Sequence, residues 1–320
     1  MVMKSGPPEH PIDTLRYRRL LELSRGLSSI TVAVVHPCSA EALAGAIAAA
    51  DMGLIIPILI GPEAKIRAVA TAANIDLAQH RIVTTAHSHA AAAQAVAMAR
   101  SGEVQALMKG SLHTDELMAE VVKAEGGLRT ERRISHVFVV DVATYPKPLL
   151  ISDGAVNVEP DLDTKRDIVR NAIDLAHAIG IAQPKVAILA AVETVNAKMR
   201  STVDAAALCK MADRGQITGG VLDGPLAFDN AISAEAARDK GIVSHVAGDA
   251  DILIAPDLES GNMIAKQLQY LADAQIAGLV MGARVPIILT SRADDVPARI
   301  ASCALALLVV KAQAAAGKDE

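Results

Sequence analysis

The sequence predicts an α/β fold built on a doubly wound, mainly parallel sheet. Three features lead there. Short continuous runs of Ile, Val and Leu recur along the chain, as in strands buried on both faces. Longer Ala-rich segments separate these runs, and helical crossovers are what parallel pairing requires. Polar loops follow directly after the apolar runs, at the strand ends where open α/β sheets bind ligands.

The elements follow in order. Ile30–Val35 reads as a strand, and Ser39 is placed to cap a helix through Met52. Ile55–Ile60 reads as the second strand, with Pro62 in the first turn of the next helix. Arg81–Thr84, Ala90–Arg100 and Val104–Met108 repeat the pattern as strand, helix and strand. Then the rhythm changes. Ser135–Val142 and Pro148–Ser152 are strand-like runs joined by a short turn around Tyr145-Pro146-Lys147, which predicts an antiparallel excursion and a domain boundary near residue 150. Alternation resumes with helix Thr164–Ile179, strand Val186–Ala190, helix Val203–Arg214 and strand Ile217–Leu222. Strand Ile252–Ala255, helix Glu259–Ala274, strands Gly278–Met281 and Pro286–Leu289, and a final helix Val296–Ala315 complete the reading.

Composition removes several function classes. At 320 residues and 52% hydrophobic, the chain has ample apolar surface to offset chain entropy, so disorder is excluded. It has no Trp, 2 Phe and 3 Tyr, which argues against stacking bases on aromatic side chains. A net charge of −5 also makes it a poor nucleic-acid binder. Cys38, Cys209 and Cys303 are far apart and form no C-x-x-C unit, so a reducing compartment is expected. The N-terminus lacks the apolar core of a secretory signal, and the expected location is the cytoplasm. No membrane association is expected. Ala42–Gly61 is interrupted by Asp51 and Pro57, and Ile300–Val310 has about half the length that spans a bilayer.

The missing motifs narrow the chemistry further. No G-x-G-x-x-G follows a strand, the only Gly-Lys pair is Gly317-Lys318, and no G-x-S-x-G elbow occurs. His87-Ser-His89 has metal-compatible spacing, but it opens an Ala-rich helix without Cys or carboxylate support, so capping or exposure is expected and no metal site. Ser135-His136 cannot form a direct nucleophile–base pair, because neighbours on a strand point to opposite faces.

The polar clusters therefore carry the functional reading. They are Lys109–Thr114, Asp153–Asn157, Asp223–Asn230, Pro256–Asn262 and Thr290–Asp295. On one carboxyl edge they would outline a shared rim, each leading toward N–H groups able to hold an anion.

At these loops the sequence resembles the phosphate acetyl/butyryl transferase family. The segments carrying the resemblance include Met108–Thr114, Gly127–His136, Asp153–Asn157, Ala190–Asn196, Gly215–Ala231, Ala247–Ile252, Pro256–Asn262 and Ser291–Asp294. Their order along nearly the whole chain makes the match specific, and their wording is closer to the butyryl branch. The resemblance implies the reaction of acyl-CoA with inorganic phosphate to give acyl phosphate and CoA. It implies two doubly wound α/β domains, isocitrate/isopropylmalate dehydrogenase-like, with the active site in the cleft between them. Residues 1–150 plus 287–320 would form the first domain and 151–286 the second. It further implies a homodimer with no metal and no cofactor beyond the substrates CoA, acyl-CoA and phosphate.

Residue by residue, Ser291 and Arg292 match the family's Ser-Arg pair beside the reacting thioester. A planar guanidinium can grip two phosphate oxygens, and a hydroxyl can donate to the sulfur or oxyanion. In acetyl-transferring members an Asp follows that Ser by about seven residues and is the proposed base for the CoA thiol. Here that place holds Ala298 or Arg299, and Asp294 and Asp295 are the nearest carboxylates, so Asp294 is the candidate base. Lys109, Gly110, Ser111, His113 and Thr114 offer N–H groups and hydroxyls to phosphate, and Arg132 and Arg133 offer charge to the CoA phosphates. Ser135, Asp153, Asn157, Asp229 and Asn262 complete the expected substrate-binding set.

Two other readings are consistent with the fold. One is a non-catalytic acyl-CoA-sensing module, disfavoured by the intact Ser291-Arg292 pair. The other is a metal-dependent decarboxylating dehydrogenase using Asp223 and Asp229, disfavoured by the motifs.

Overall fold

The computed structural model describes residues 15–291 and 294–316, with side chains from residue 18 onward. A helix not anticipated from the sequence, α1 (Leu15–Ser24), precedes β1 (Ile30–Val35), α2 (Ala40–Asp51), β2 (Ile55–Gly61), α3 (Glu63–Ala72), β3 (Arg81–Thr84), α4 (Ser88–Arg100), β4 (Ala106–Lys109) and α5 (Thr114–Val121). Next come β5 (Ser135–Asp141), β6 (Leu149–Ser152), α6 (Leu162–Ala178), β7 (Lys185–Leu189), α7 (Arg200–Asp213), β8 (Val221–Leu226), α8 (Phe228–Ile232) and α9 (Ala234–Asp239). The chain then runs through β9 (Ile252–Ile254), α10 (Leu258–Leu271), β10 (Gln275–Met281), β11 (Ile287–Ile288) and α11 (Val296–Ala316).

Local chemistry sets several starts. Ser39 accepts from Ala42 N and caps α2, and Asp161 and Asp257 cap α6 and α10 in the same way. His87 caps α4 by accepting from Ala90 N, which is the capping role expected of it. Pro62 sits at the N-cap of α3, one position before the first turn where it was expected.

The strands form one continuous sheet in the order β3-β2-β1-β4-β11-β10-β5-β6-β9-β7-β8. β3, β2, β1, β4 and β11 run parallel. β6, β9, β7 and β8 also run parallel to one another. The expected antiparallel excursion is the β5–β6 pair. β10 is antiparallel to both of its neighbours, which the sequence did not disclose, because a fully buried apolar run looks the same in either direction. The two α/β halves thus share a sheet, and the strands of the second half point opposite to those of the first. The expected boundary near 150 falls within β6, and 287 opens β11.

One strand lies later than expected. β8 starts at Val221, not at Ile217, and takes Asp223, Gly224 and Pro225 into the strand. Gly215 and Gly219 have positive φ and fold the intervening residues into a turn. Pro225 is tolerated because β8 is an outer strand with a partner on one side only.

The helices cover both faces. α11 packs against α2, β10, α1 and α6. By length and composition it could cross a membrane, and it is longer than the apolar run Ile300–Val310 suggested. Its residues from Arg299 to Val310 are nevertheless all buried inside the protein, as in a core helix. Each fully buried Leu or Val of this kind contributes about 1.5–3 kcal/mol.

Candidate active site

The site is set by where strand directions change. Met108 lies opposite Ile288 in the parallel β4–β11 pair, so the loops after Lys109 and after Leu289 leave the sheet side by side. The loops after β6, β8 and β9 leave strands that run the other way. The expected single rim is therefore corrected to two groups on reversed edges. The registers bring them together: Ile288 faces Leu279, Leu279 faces Val137 and Val137 faces Ser152, so the oppositely running β11 and β6 end at the same height across the sheet. They meet at His136 on β5.

His136 is fully buried. Its backbone N–H donates to Asp153 Oδ1 at 3.1 Å, and its ring Nε2 lies 3.4 Å from Leu289 O. One residue thus touches the loop that follows β6 and the end of the strand leading to Ser291. Burial lowers its pKa, against the opposing pull of Asp153, the Leu289 carbonyl and Asp294. The ring packs edge-on against Phe138, two residues along the same strand face. Ser135 turns to the other face, where its Oγ accepts from Asn171 Nδ2 at 2.9 Å. The alternation expected of this pair is present, and Ser135 is buried behind the strand.

Asp153 and Asn157 build their own loop. The buried Asp153 carboxylate accepts from the backbone N–H groups of His136, Ala155, Val156 and Asn157, and from Asn157 Nδ2 at 2.5 Å. Asn157 Nδ2 also donates to Ile134 O, and Asn262 Nδ2 ties α10 to Gly154 O at 3.0 Å.

Ser291 and Asp294 close a turn after β11. Ser291 N donates to Asp294 Oδ2 at 2.6 Å, and Asp294 N donates back to Ser291 O at 3.2 Å. Asp295 Oδ1 accepts from Ala298 N, which caps the first turn of α11. Arg292 lies outside the described residues.

A residue missed in the sequence holds this turn. The buried Arg299 donates from Nη1 to Thr290 Oγ1 at 2.7 Å and from Nη2 to Ser291 O at 3.0 Å. The one available signal was that Ala298 or Arg299 fills the place where acetyl-transferring relatives were expected to carry an acid.

In the neighbouring loop, Lys109 is buried and its ammonium donates to the carbonyls of Gly110 and Leu112. Gly110 sits against the end of β1, where a Cβ would meet Val35 O at 2.4 Å. Ser111 Oγ donates to His36 O and accepts from Cys38 N. His113 N donates to Glu116 Oε1, and Thr114 opens α5. His36 and Cys38, neither of them in the expected substrate-binding set, therefore share this loop's hydrogen bonds.

The remaining expected residues are spread out. Arg132 is ion-paired with Asp174. Arg133 lines a crevice of about 300 Å³ whose walls include Glu131, Asp161 and Asp167. Asp229 follows the outermost strand and pairs with Lys240 at 3.1 Å, which holds its carboxyl below the usual range.

Two larger cavities flank the centre. One of about 620 Å³ opens at the carboxyl ends of β7 and β9 and is lined by Lys165, Arg200, Ser201, Phe228, Asp257 and Ser260. Its buried Lys165 pairs with Asp204 at 2.8 Å. The other, of about 530 Å³, lies between α1, the start of β10 and the start of α11, with Asp294 and Asp295 among its lining residues.

Similarities to known proteins run along most of the chain. Residues 84–307 match the family model described as Phosphate acetyl/butaryl transferase. A phosphate acetyltransferase of Rhizobium meliloti is 61% identical over 306 residues, covering 96% of this chain and 97% of the relative. A phosphate butyryltransferase of Clostridium acetobutylicum is 44% identical over 257 residues, covering 80% and 85%. The crystal structure of a branched-chain phosphotransacylase from Enterococcus faecalis V583 is 30% identical with a TM-score of 0.77, covering 88% of this chain and 99% of that one.

Proposed function

Because the chain belongs to the phosphate acetyl/butyryl transferase family, we propose how its own residues carry out the family's transfer. The protein is a phosphate acyltransferase that moves a short acyl group between CoA and inorganic phosphate. In the forward direction a phosphate oxygen attacks the thioester carbonyl carbon. The C–S bond breaks, the acyl phosphate forms, and CoA leaves as thiolate to take up a proton. Negative charge builds on the carbonyl oxygen and on the sulfur, so fixed donors beside them lower the barrier.

The observation that carries the residue assignment is the turn after β11. It is pinned from α11 by Arg299 and abuts His136 at its base. That turn leaves the sheet next to the strand that leads into the loop of Lys109–Thr114. Ser291 donates to the departing sulfur or the oxyanion, Arg292 grips the phosphate, and Asp294 exchanges the thiol proton. A free thiol has a pKa of about 8.5, so a carboxylate at hydrogen-bond reach is a useful acceptor in the reverse direction. The Lys109–Thr114 loop contributes N–H groups and hydroxyls to the phosphate. The cavity of about 620 Å³ at Lys165 and Arg200 takes part of the CoA substrate.

The higher identity to the Rhizobium acetyltransferase than to the clostridial butyryltransferase supports acetyl-CoA as the preferred thioester, against the butyryl leaning of the loop wording. Butyryl-CoA is turned over as well, since one methylene in an apolar pocket is worth only about 1–3 kcal/mol. The enzyme works in the cytoplasm as a homodimer, and the exposed Met263, Tyr270 and Leu271 of α10 offer an apolar face for the second copy. No metal or cofactor takes part, so treatment with EDTA leaves the rate unchanged. The test is thiol release from acetyl-, propionyl- and butyryl-CoA with and without phosphate. Release that needs phosphate supports the reading; binding without release in all three would leave the acyl-CoA-sensing module in its place.

A further inference from the structure

Arg299 is an unusual side chain to find in the core of α11. The neighbouring residues of that helix from Ile300 to Val310 are almost all apolar and buried, and Arg299 is buried with them. Among the described residues its hydrogen bonds go to Thr290 Oγ1 and Ser291 O, and its Nε has no partner. Asp294, Asp295 and Glu41 act on it only through space. A buried cation with an unsatisfied N–H is a poor stabilising device, since an apolar side chain of similar volume would serve the core at least as well.

A second element makes room for it. Gly45 lies inside α2, where glycine is unfavourable relative to alanine. A Cβ built there would meet Arg299 Cδ at 2.4 Å and Cβ at 2.9 Å. Thus α2 gives up a side chain so that the stem of Arg299 can pass. The far end of that stem spans the turn that leads into Ser291 and Asp294, while His136 abuts the same strand end at Leu289 O. Two groups from different elements therefore set the position of one short turn.

We infer that Arg299 is a positioning residue for acyl transfer, holding the Thr290–Ser291 turn in register with the reacting thioester, and that Gly45 exists to seat it. This rests on the reading of Ser291 as part of the transfer site. Arg299 touches no substrate itself; it acts through the turn.

Three variants test it, read by steady-state kinetics in acetyl-CoA and phosphate together with urea unfolding. Arg299→Lys keeps the charge but cannot bridge two oxygens 2.7 and 3.0 Å from separate nitrogens. Thr290→Val removes one acceptor and leaves the guanidinium. Gly45→Ala keeps every polar group and strengthens the α2 helix locally, but drives a methyl onto the arginine stem. A displacement of about 1 Å in a reacting constellation can cost about 10²-fold. Arg299→Lys and Gly45→Ala are each expected to lose roughly that in kcat, with KM for both substrates within about threefold of wild type. Thr290→Val is expected to lose less. Wild-type kcat in Arg299→Lys or Gly45→Ala overturns the inference, as does a loss that disappears when rates are scaled to the folded fraction, or a rise in KM at unchanged kcat. If the wild-type protein itself releases no CoA, the transfer reading fails and this inference falls with it. Active wild type beside unaffected variants sinks the inference alone.

Discussion

Asp153 and His136 are locked together across two antiparallel strands, with the His136 backbone N–H donating to Asp153 Oδ1 at 3.1 Å. The same carboxylate gathers the N–H groups of Ala155, Val156 and Asn157. Asp153 is therefore the organising centre of its loop, which places the loop against the middle of the sheet.

Asp153→Asn is expected to be costly for that reason. The amide offers one acceptor oxygen where two met a ring of donors, and its NH₂ group faces N–H groups. Leaving buried donors unsatisfied costs about 1–3 kcal/mol and more for charged groups. A drop of about 3 kcal/mol in urea unfolding is expected, with turnover lowered in parallel. Wild-type stability would mean the loop is held by something other than this carboxylate.

His136 gives stability a pH dependence of known sign. Burial depresses its folded pKa below the unfolded value of 6.5, so the unfolded chain takes up a proton before the folded one does. Its contribution is complete above 6.5 and is lost as pH falls from there toward the folded pKa. The urea midpoint of the wild type should therefore fall more between about pH 7.5 and 5.5 than that of His136→Leu. Parallel curves would show that His136 does not supply the dependence.

Lys165 and Asp204 form a buried pair beside the cavity at the carboxyl ends of β7 and β9. Lys165→Met leaves the buried carboxylate with only the exposed Arg200, whose Nε lies 3.4 Å from the same oxygen, and should cost up to about 3 kcal/mol. The double variant Lys165→Met/Asp204→Leu should recover most of that stability. Non-recovery would mean the pair contributes more than its own charge balance.

Arg292 carries the sharpest catalytic expectation, on the strength of the Ser-Arg match. Arg292→Gln removes a preorganised cation at the phosphate, and loss of one such donor costs about 10²–10³ in turnover. Arg292→Lys should recover only part, because a point charge does not reproduce a planar two-oxygen grip. Near-normal turnover in a folded Arg292→Gln protein would remove it from the chemistry.

Much of this was legible in the sequence because burial leaves a plain signature. Ile30–Val35 and Arg81–Thr84 appear as strands within the limits read from their apolar runs, and Ser39 caps the helix it was expected to cap. Strand direction was not legible. The antiparallel setting of Gln275–Met281 and the reversal of the second half follow from pairings between distant segments, which an apolar run does not encode. In the candidate site, the polar cluster Asp153–Asn157 was visible after a strand, and its residues do form one hydrogen-bonded loop. Arg299 left no such signal, because its partners Thr290 and Ser291 lie across a turn and its seat depends on Gly45 in a helix far back in the chain. Asp229, from the expected substrate-binding set, follows the strand at the outer end of the sheet and is ion-paired with Lys240, a placement that its loop's wording does not distinguish from the others.

The central claim is transfer of an acyl group to phosphate, and the balance of products tests it most directly. Purified protein is incubated with acetyl-CoA and phosphate, and released thiol and acetyl phosphate are measured in the same sample. The account predicts equal amounts of the two, both dependent on phosphate, with re-formation of acetyl-CoA when acetyl phosphate and CoA are supplied instead. Thiol released together with free acetate and no acetyl phosphate, or no thiol released at all, would contradict it.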